Sequence, residues 1–129
     1  RELVTKLFRD ATTYFDDGGV PSHFMLVVSD TRPEHVKTLA SVTHVDGGAR
    51  VQTVTPAQNA LYYDLIEKVG RLTGVPCVLN TSFNIRGEPI VATPADAMKC
   101  YFTTDMDLLF VGNYVVYKDL ALARAYLDA

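Results

Sequence analysis

The sequence predicts an α/β protein with a twisted, mixed sheet and flanking helices. Short apolar segments of strand length alternate with longer segments of helical periodicity, which is typical of sheets joined by helical crossovers. One pair of apolar segments is separated only by Gly112 and Asn113, a strong hairpin signal that makes at least two strands antiparallel. At 129 residues, the chain is expected to form one domain over residues 1–129.

The N-terminal segment predicts an amphipathic helix of about four turns. Its apolar residues recur at helical spacing, and a turn signal at residues 16–19 ends the pattern. The apolar residues are Leu3, Val4, Leu7, Phe8, Ala11, Tyr14 and Phe15. The chain begins at Arg1, without an initiator methionine or a signal-peptide core, so we expect it to be part of a longer polypeptide.

The middle of the chain predicts two strands and two helices. Residues 24–29 are apolar, residues 34–42 favour a short helix, and residues 50–54 alternate polar and apolar side chains as a half-buried strand does. Thr55 is a predicted N-cap, with proline at the first helical position and glutamine three residues after the cap. Gly74 is placed to end this helix. The helix carries one apolar stripe, formed by Leu61, Leu65, Val69 and Leu72.

The last third of the chain predicts a buried strand, two helices and the hairpin. Residues 75–79 are too short for a helix and read as a central strand covered on both faces. Thr93 and Pro94 repeat the helix-start signal. The hairpin strands are residues 108–111 and 114–117, and Leu120 opens a final helical pattern.

Composition excludes several classes of protein. Hydrophobic residues make up 48% and charged residues 21% of the chain, which indicates neither disorder nor a membrane protein. The net charge is −3 and the basic residues are scattered, so neither a nucleic-acid nor a membrane partner is expected. This charge pattern does not exclude a small anionic ligand. Cys77 and Cys100 lie in apolar segments and are expected to be reduced, which favours the cytoplasm. The histidines are widely spaced, and no metal site is predicted.

The first candidate site is the polar run that follows residues 75–79. Ligands of open α/β sheets bind at the carboxyl ends of strands, and this strand is followed by hydroxyl, amide and guanidinium groups. The residues are Asn80, Thr81, Ser82, Asn84 and Arg86. The alternative is a tight loop whose side chains bond their own backbone. Ser82 lacks the glycine-flanked setting of a nucleophile, so binding is favoured over attack.

The second candidate site is the polar segment at residues 43–50, which also adjoins a predicted strand. Two glycines allow close approach of a ligand, and Arg50 can fork two oxygens of a phosphate or carboxylate. His44 and Asp46 form either a base with its orienting carboxylate or a structural pair. Neither of the two standard glycine-rich phosphate loops occurs in the sequence.

Residues 43–54, 74–91 and 93–97 together resemble the C-terminal domain of the nodulation-type O-carbamoyltransferases, a family that also includes antibiotic-modifying enzymes. The likeness extends from about residue 24 to residue 117 with its spacing intact. It implies part of a YrdC-like domain that binds ATP, with Mg²⁺, and carbamoyl phosphate, and that forms carbamoyl-adenylate. It further implies a separate actin-like, sugar-kinase-like domain of the same polypeptide, which holds a metal ion and passes the carbamoyl group to a hydroxyl acceptor.

The resemblance also assigns residues. Arg50 corresponds to the phosphate-contacting arginine, and Asn80 and Ser82 correspond to the pair that lines the carbamoyl-adenylate pocket. Arg1 stands at the end of an upstream Lys-x-Arg element, but an Arg-Pro-Phe-Ala-Pro-like run does not follow it here. We therefore expect this chain alone to be incomplete as an enzyme. The alternatives are a non-catalytic module that binds a nucleotide or carbamoyl phosphate, and a structural docking domain.

Overall fold

The computed structural model describes residues 3–7, 11–16 and 20–127, which confirm the predicted mixed α/β class. By its internal contacts the chain divides into two units, Arg1–Thr81 and Ser82–Ala129. In chain order the helices and strands are β1 (Leu3–Leu7), α1 (Ala11–Tyr14), β2 (Val28–Asp30), β3 (Gly48–Val54), α2 (Ala60–Thr73), β4 (Cys77–Leu79), α3 (Pro94–Phe102), β5 (Leu108–Val111), β6 (Tyr114–Tyr117) and α4 (Leu120–Leu127), with a 3₁₀ turn at Pro33–His35.

The first unit contains a four-stranded mixed sheet in the order β2-β3-β1-β4. Strand β1 runs parallel to β3 and antiparallel to β4, and β2 is antiparallel to β3. Val4 of β1 pairs with Val51 on one side and with Leu79 on the other. Rows of residues therefore extend from β3 across β1 to β4.

The predicted N-terminal helix is wrong for Leu3–Leu7, which form a strand. This segment lies between β3 and β4 and pairs with both, so tertiary pairing outweighs the local helical pattern. Among the described residues of that prediction, only Ala11–Tyr14 are helical. Phe15 follows as an isolated bridge to Thr31.

The predicted strand at residues 24–29 is reduced to Val28–Asp30. The reason is that Ser22 forms the hydrogen bonds with the next part of the β3 edge. Its carbonyl accepts from the Thr53 N–H at 2.7 Å, and its own N–H donates to Thr53 Oγ1 at 2.9 Å. Residues 23–27, which we call the 23–27 loop, lie outside the sheet strands. Met25 in this loop has a φ of 55°.

Strand β3 and helix α2 are both present, as the sequence predicts, but some of their first and last residues differ from the prediction. Helix α2 begins at Ala60, because Asn59 accepts from the Tyr62 N–H and is the N-cap in place of Thr55. Thr55 belongs to a preceding turn, in which Gln58 Oε1 accepts from its N–H at 2.9 Å. Gly74 ends the helix with a φ of 80°, as predicted.

The two faces of the sheet are covered by different residues. Ala49 and Val51 of β3 pack with Phe15, Leu39 and Val42 on one face. On the opposite face, the buried face of α2 covers the end of β3 and part of β4. The residues in contact there are Val54, Val78, Tyr62, Tyr63 and Ile66.

The predicted apolar stripe of α2 is largely exposed: Leu61, Leu65 and Leu72 are 82%, 51% and 88% accessible. The helix buries the adjacent face instead, around Ile66. The expectation of a central strand at residues 75–79 is also wrong in part. Strand β4 covers only Cys77–Leu79 and lies at one end of the sheet that the described residues form.

The second unit packs α3 against the β5–β6 hairpin. Thr93 caps α3 as predicted, and Ala97, Tyr101 and Leu109 form the buried centre. The hairpin prediction is also confirmed, since Val111 pairs with Tyr114 across the two-residue turn. Cys77 and Cys100 are both thiols, not a disulfide. Within the described ranges, none of the helices is long and apolar enough to cross a membrane.

Helix α2 approaches the start of β4 closely enough to require glycine at position 70. A Cβ added there would lie 2.6 Å from Pro76 Cβ and 2.9 Å from Pro76 Cα. We predict that Gly70→Ala lowers the free energy of unfolding by about 1–3 kcal/mol, despite the better helix propensity of alanine. Urea unfolding checks this. Lys68→Ala, at an exposed position of the same helix, is the control, and equal or higher stability of Gly70→Ala would contradict the close packing.

Candidate functional site

One face of the four-stranded sheet carries a group of polar side chains beyond the part that α2 covers. Side chains alternate between the faces of a strand, so Arg50 and Gln52 lie on the same face as Val54. Arg50 is exposed, Gln52 is half-buried, and Val54 is buried under α2. The open part of this face therefore begins at Gln52 and continues past Arg50.

Asn80 joins this face through a hydrogen bond to Gln52. Its amide Nδ2 donates to Gln52 Oε1 at 2.7 Å and lies 3.8 Å from Met25 Sδ in the 23–27 loop. Gln52 Nε2 in turn donates to the backbone carbonyl of His23 at 2.8 Å. The residue after β4, the middle of β3 and the 23–27 loop are thus tied together by two side-chain amides.

A second hydrogen-bonded pair extends this polar group toward α2. Gln58 Oε1 accepts from the Thr55 N–H, so its Nε2 faces His23, with 2.6 Å between Gln58 Nε2 and His23 Nδ1. Because the amide nitrogen can only donate, this contact uses His23 Nδ1 as an acceptor.

A cavity of about 370 Å³ adjoins this hydrogen-bonded group. Its wall combines aromatic rings with amide and imidazole groups, a mixture that suits a planar polar ligand. The residues include Phe24, Tyr62, His23, Gln52, Gln58 and Asn59. His23, Gln52 and Gln58 are not among the candidate site residues that the sequence predicts. Gln52 was detectable, since it follows Arg50 by two positions on a strand of alternating pattern.

The structure places Arg50 and Asn80 on the same face of the sheet, on strands separated by β1. Ser82, Asn84 and Arg86 belong to the second unit, and Thr81 is exposed at the end of the first. Ser82 and Arg86 are also exposed. Arg1 lies outside the described residues. Arg50 and Asn80 of the predicted site therefore lie on one surface, and the roles of all the candidate residues stay predictions.

His44 and Asp46 lie in the tight turn that leads into β3. His44 Nδ1 is 3.2 Å from Asp46 Oδ1, and the same carboxylate oxygen accepts from the Gly48 N–H at 3.0 Å. The backbone closes the turn, with the Gly47 N–H donating to the His44 carbonyl at 2.9 Å. Gly47 has a φ of 84°, a conformation that favours glycine. These contacts shape the turn that positions the start of β3 and thus Arg50.

Asn84 organises the loop that precedes α3 in the second unit. Its Nδ2 donates to the carbonyls of Ile85 and Glu88, each at 3.1 Å. Lys99 of α3 holds the same loop through a 2.9 Å ion pair with Glu88, which raises the pKa of Lys99. Asn84 thus bonds backbone near its own position, as the alternative interpretation of this polar run expects.

Asp96 fixes the start of α3 beside this loop. Its carboxylate accepts from the N–H and the hydroxyl of Thr93, at 3.0 and 2.7 Å, while Thr93 Oγ1 accepts from the Asp96 N–H. These hydrogen bonds favour the charged carboxylate and lower the pKa of Asp96. Among the residues that the structure describes, no three metal-ligating side chains come together.

Comparisons with known proteins agree on one family. The family model described as the carbamoyltransferase C-terminus matches residues 4–118. Nodulation protein NolNO of Sinorhizobium fredii is 44% identical over 117 residues, which cover 89% of this chain and 17% of that protein. Nodulation protein NolO of Bradyrhizobium diazoefficiens is 42% identical over 114 residues, which cover 87% of this chain and 21% of that protein.

More distant organisms also contain similar sequences. An uncharacterised protein of Methanocaldococcus jannaschii is 38% identical over 97 residues, 75% of this chain and 19% of its own length. The chain therefore spans about a fifth of the length of the curated relatives that it matches.

The lowered pKa of Asp96 predicts an acid-sensitive contribution to stability. A carboxylate whose folded pKa is depressed stabilises the fold above its ordinary pKa of about 4, and this contribution is lost as the pH falls toward the folded pKa. We expect wild type to be more stable than Asp96→Asn at pH 7 and the difference to narrow below about pH 4. Urea unfolding across this range measures it.

The matched control for Asp96 repeats the comparison in a Thr93→Ala background. Thr93 supplies the hydrogen bond that lowers the Asp96 pKa most. The pH dependence of the difference should therefore shrink when its hydroxyl is removed. A difference that stays constant from pH 7 to pH 3 would show that the charge of Asp96 does not stabilise α3.

Proposed function

This chain belongs to the carbamoyltransferase C-terminal family, and we propose that it supplies the part of an O-carbamoyltransferase that binds carbamoyl phosphate. The observation that carries the proposal is the placement of Arg50 and Asn80 on one sheet face. A guanidinium group and an amide are the groups needed to hold a phosphate at one end of a small ligand and a carbamoyl group at the other.

The dimensions of the sheet support this ligand. Arg50 and Asn80 are carried by strands on either side of β1, so their backbones are about 10 Å apart. The long arginine side chain narrows that gap, and its exposure leaves it accessible to an anion. The guanidinium would bind the phosphate and the Asn80 amide would orient the carbamoyl group.

We further propose that ATP binds beside this position and that the chain forms part of a YrdC-like domain. The aromatic and amide lining of the adjoining cavity suits a nucleobase. Within the described residues, no three metal-ligating side chains come together that could hold Mg²⁺. Hydrolysis of carbamoyl phosphate would give carbamate and inorganic phosphate. A carbamate oxygen would then attack the α-phosphorus of bound ATP, which would give carbamoyl-adenylate and release pyrophosphate.

The complete activity is proposed to require further groups outside the described residues of this chain. Transfer to a hydroxyl acceptor is proposed to occur in an actin-like, sugar-kinase-like domain of the same polypeptide, where a second metal ion would be held. The two thiols, Cys77 and Cys100, are consistent with a cytoplasmic enzyme.

Arg50→Ala tests the proposed phosphate contact in the complete gene product. We predict a loss of about 1.5–3 kcal/mol in the binding of phosphonoacetamide, a stable analogue of carbamoyl phosphate, or roughly 10–150-fold in Kd. Arg50→Lys should recover only part of the affinity, because lysine lacks the planar fork. The thermal midpoint should change little, since Arg50 is exposed. Titration calorimetry and thermal unfolding measure the two effects.

Arg71→Ala is the control for removing a positive charge. Arg71 is an exposed residue of α2, 2.9 Å from Glu67, and lies outside the proposed site. It should leave the Kd unchanged. Unchanged affinity of Arg50→Ala, together with a large fall in the thermal midpoint, would show that Arg50 is structural and would refute the proposed function.

A further inference from the structure

We propose that the exposed leucine stripe of α2, formed by Leu61, Leu65 and Leu72, is the docking surface for a helix from the part of the polypeptide outside this chain. The inference goes beyond the proposed function. It uses the longer polypeptide of that proposal but no property of the ligand, so its failure would leave the carbamoyl phosphate site untouched.

Helix α2 carries two apolar faces, and packing on the sheet explains only one of them. At 100° per residue, Leu61, Leu65 and Leu72 lie within about 40° of one another around the helix, and Ile66 lies roughly 100–140° away from them. Ile66 is fully buried, whereas the three leucines are 51% to 88% accessible. The described residues therefore leave a second apolar face of this helix uncovered.

The spacing of the stripe is that of a contact between two helices. With Lys68 included, the row is Leu61, Leu65, Lys68 and Leu72, whose alternating intervals of four and three positions are those of a helix–helix seam. Lys68 is exposed, so its stem can cover the seam while its charged end stays in water. The row is about 16 Å long, or roughly three turns, and thus fits another helix of that length.

The size of the stripe favours a segment of the same polypeptide over a second copy. Three leucines offer a few hundred Å² of apolar surface, and two such stripes together would bury less than the roughly 1,200 Å² at which stable interfaces between separate proteins begin. A linked segment is held at an effective concentration of the order of mM, so a smaller contact suffices. This chain spans about a fifth of the curated relatives that it matches, which leaves most of such a polypeptide outside it.

The position of the stripe places the docked helix next to the candidate site. Leu61 lies between Asn59 and Tyr62 in the sequence, and both of these residues line the cavity of about 370 Å³. A helix that covers Leu61 would therefore lie beside this cavity. Docking would bring a part of the polypeptide outside this chain next to the proposed nucleobase site.

Alkylation of single introduced cysteines in the complete gene product tests whether the stripe is covered. Leu61→Cys and Leu72→Cys should each react with N-ethylmaleimide at least about tenfold more slowly than Arg71→Cys. Arg71 is the matched control, because its side chain is 72% accessible and lies about 100° around the helix from Leu72. Peptide mapping assigns the label to each position, and urea should abolish the difference. Equal rates in the native protein would overturn the proposal.

A photocrosslink identifies what covers the stripe. The photoreactive amino acid benzoylphenylalanine in place of Leu65 should give a product with the mass of one chain, in which the α2 peptide is joined to a peptide from outside residues 1–129. A product of twice that mass would show a second copy, and a link within residues 1–129 would show an internal contact. Either result would overturn the proposed occupant. Leu72 is 88% accessible, so Leu72→Cys should fold even if the replacement at Leu65 does not.

Discussion

The backbone pairing of β1 with both β3 and β4 determines how Arg50 and Gln52 of β3 lie relative to Asn80 after β4. Because β1 is parallel to β3 and antiparallel to β4, residues of β3 and β4 that are far apart in sequence lie in the same rows of the sheet. A shift of β1 by one residue would place a different set of side chains opposite each other. The pairing therefore brings Asn80 within hydrogen-bonding distance of Gln52, although 28 positions separate them.

Helix α2 then decides which part of the face stays open. It packs on Val54 and Val78 through Ile66 and the neighbouring tyrosines, and its close approach to Pro76 is set by Gly70. The next polar positions along β3, Gln52 and Arg50, lie beyond this contact. The 23–27 loop approaches from the other side, held by Gln52 and Gln58. The polar surface is thus bounded by a helix and a loop that are both fixed by hydrogen bonds or packing.

Local signals in the sequence were sufficient for the elements whose causes are local. The capping box of Thr93 and Asp96, the C-cap at Gly74 and the two-residue hairpin turn are all formed by neighbours in sequence, and all are present. Strand β1 could not be recognised because its apolar residues also fit a helix, and only pairing with two distant strands decides the matter. Likewise, the burial of Ile66 in place of Leu61 depends on how α2 packs on the sheet, which a local pattern does not determine.

The residues of the candidate site also divide into those with local sequence signals and those whose contacts are distant in sequence. Arg50 and Asn80 were identified as candidates from their motifs and strand ends, and Gln52 was detectable from the alternation along β3. His23 contacts Gln52 and Gln58 across 29 and 35 positions, and no local pattern reveals these contacts. Asn84 illustrates the opposite case, since a residue chosen as a ligand candidate bonds carbonyls one and four positions away. A polar run after a strand therefore includes residues that shape the loop, as Asn84 does.

A crystal structure of the complete gene product with phosphonoacetamide tests the central claim most directly. We expect the phosphonate oxygens to lie within ion-pairing distance of the Arg50 guanidinium, and the amide end of the ligand to lie next to the Asn80 side chain. Gln52 should keep its bonds to Asn80 and to the His23 carbonyl. A ligand bound away from this sheet face would contradict the account.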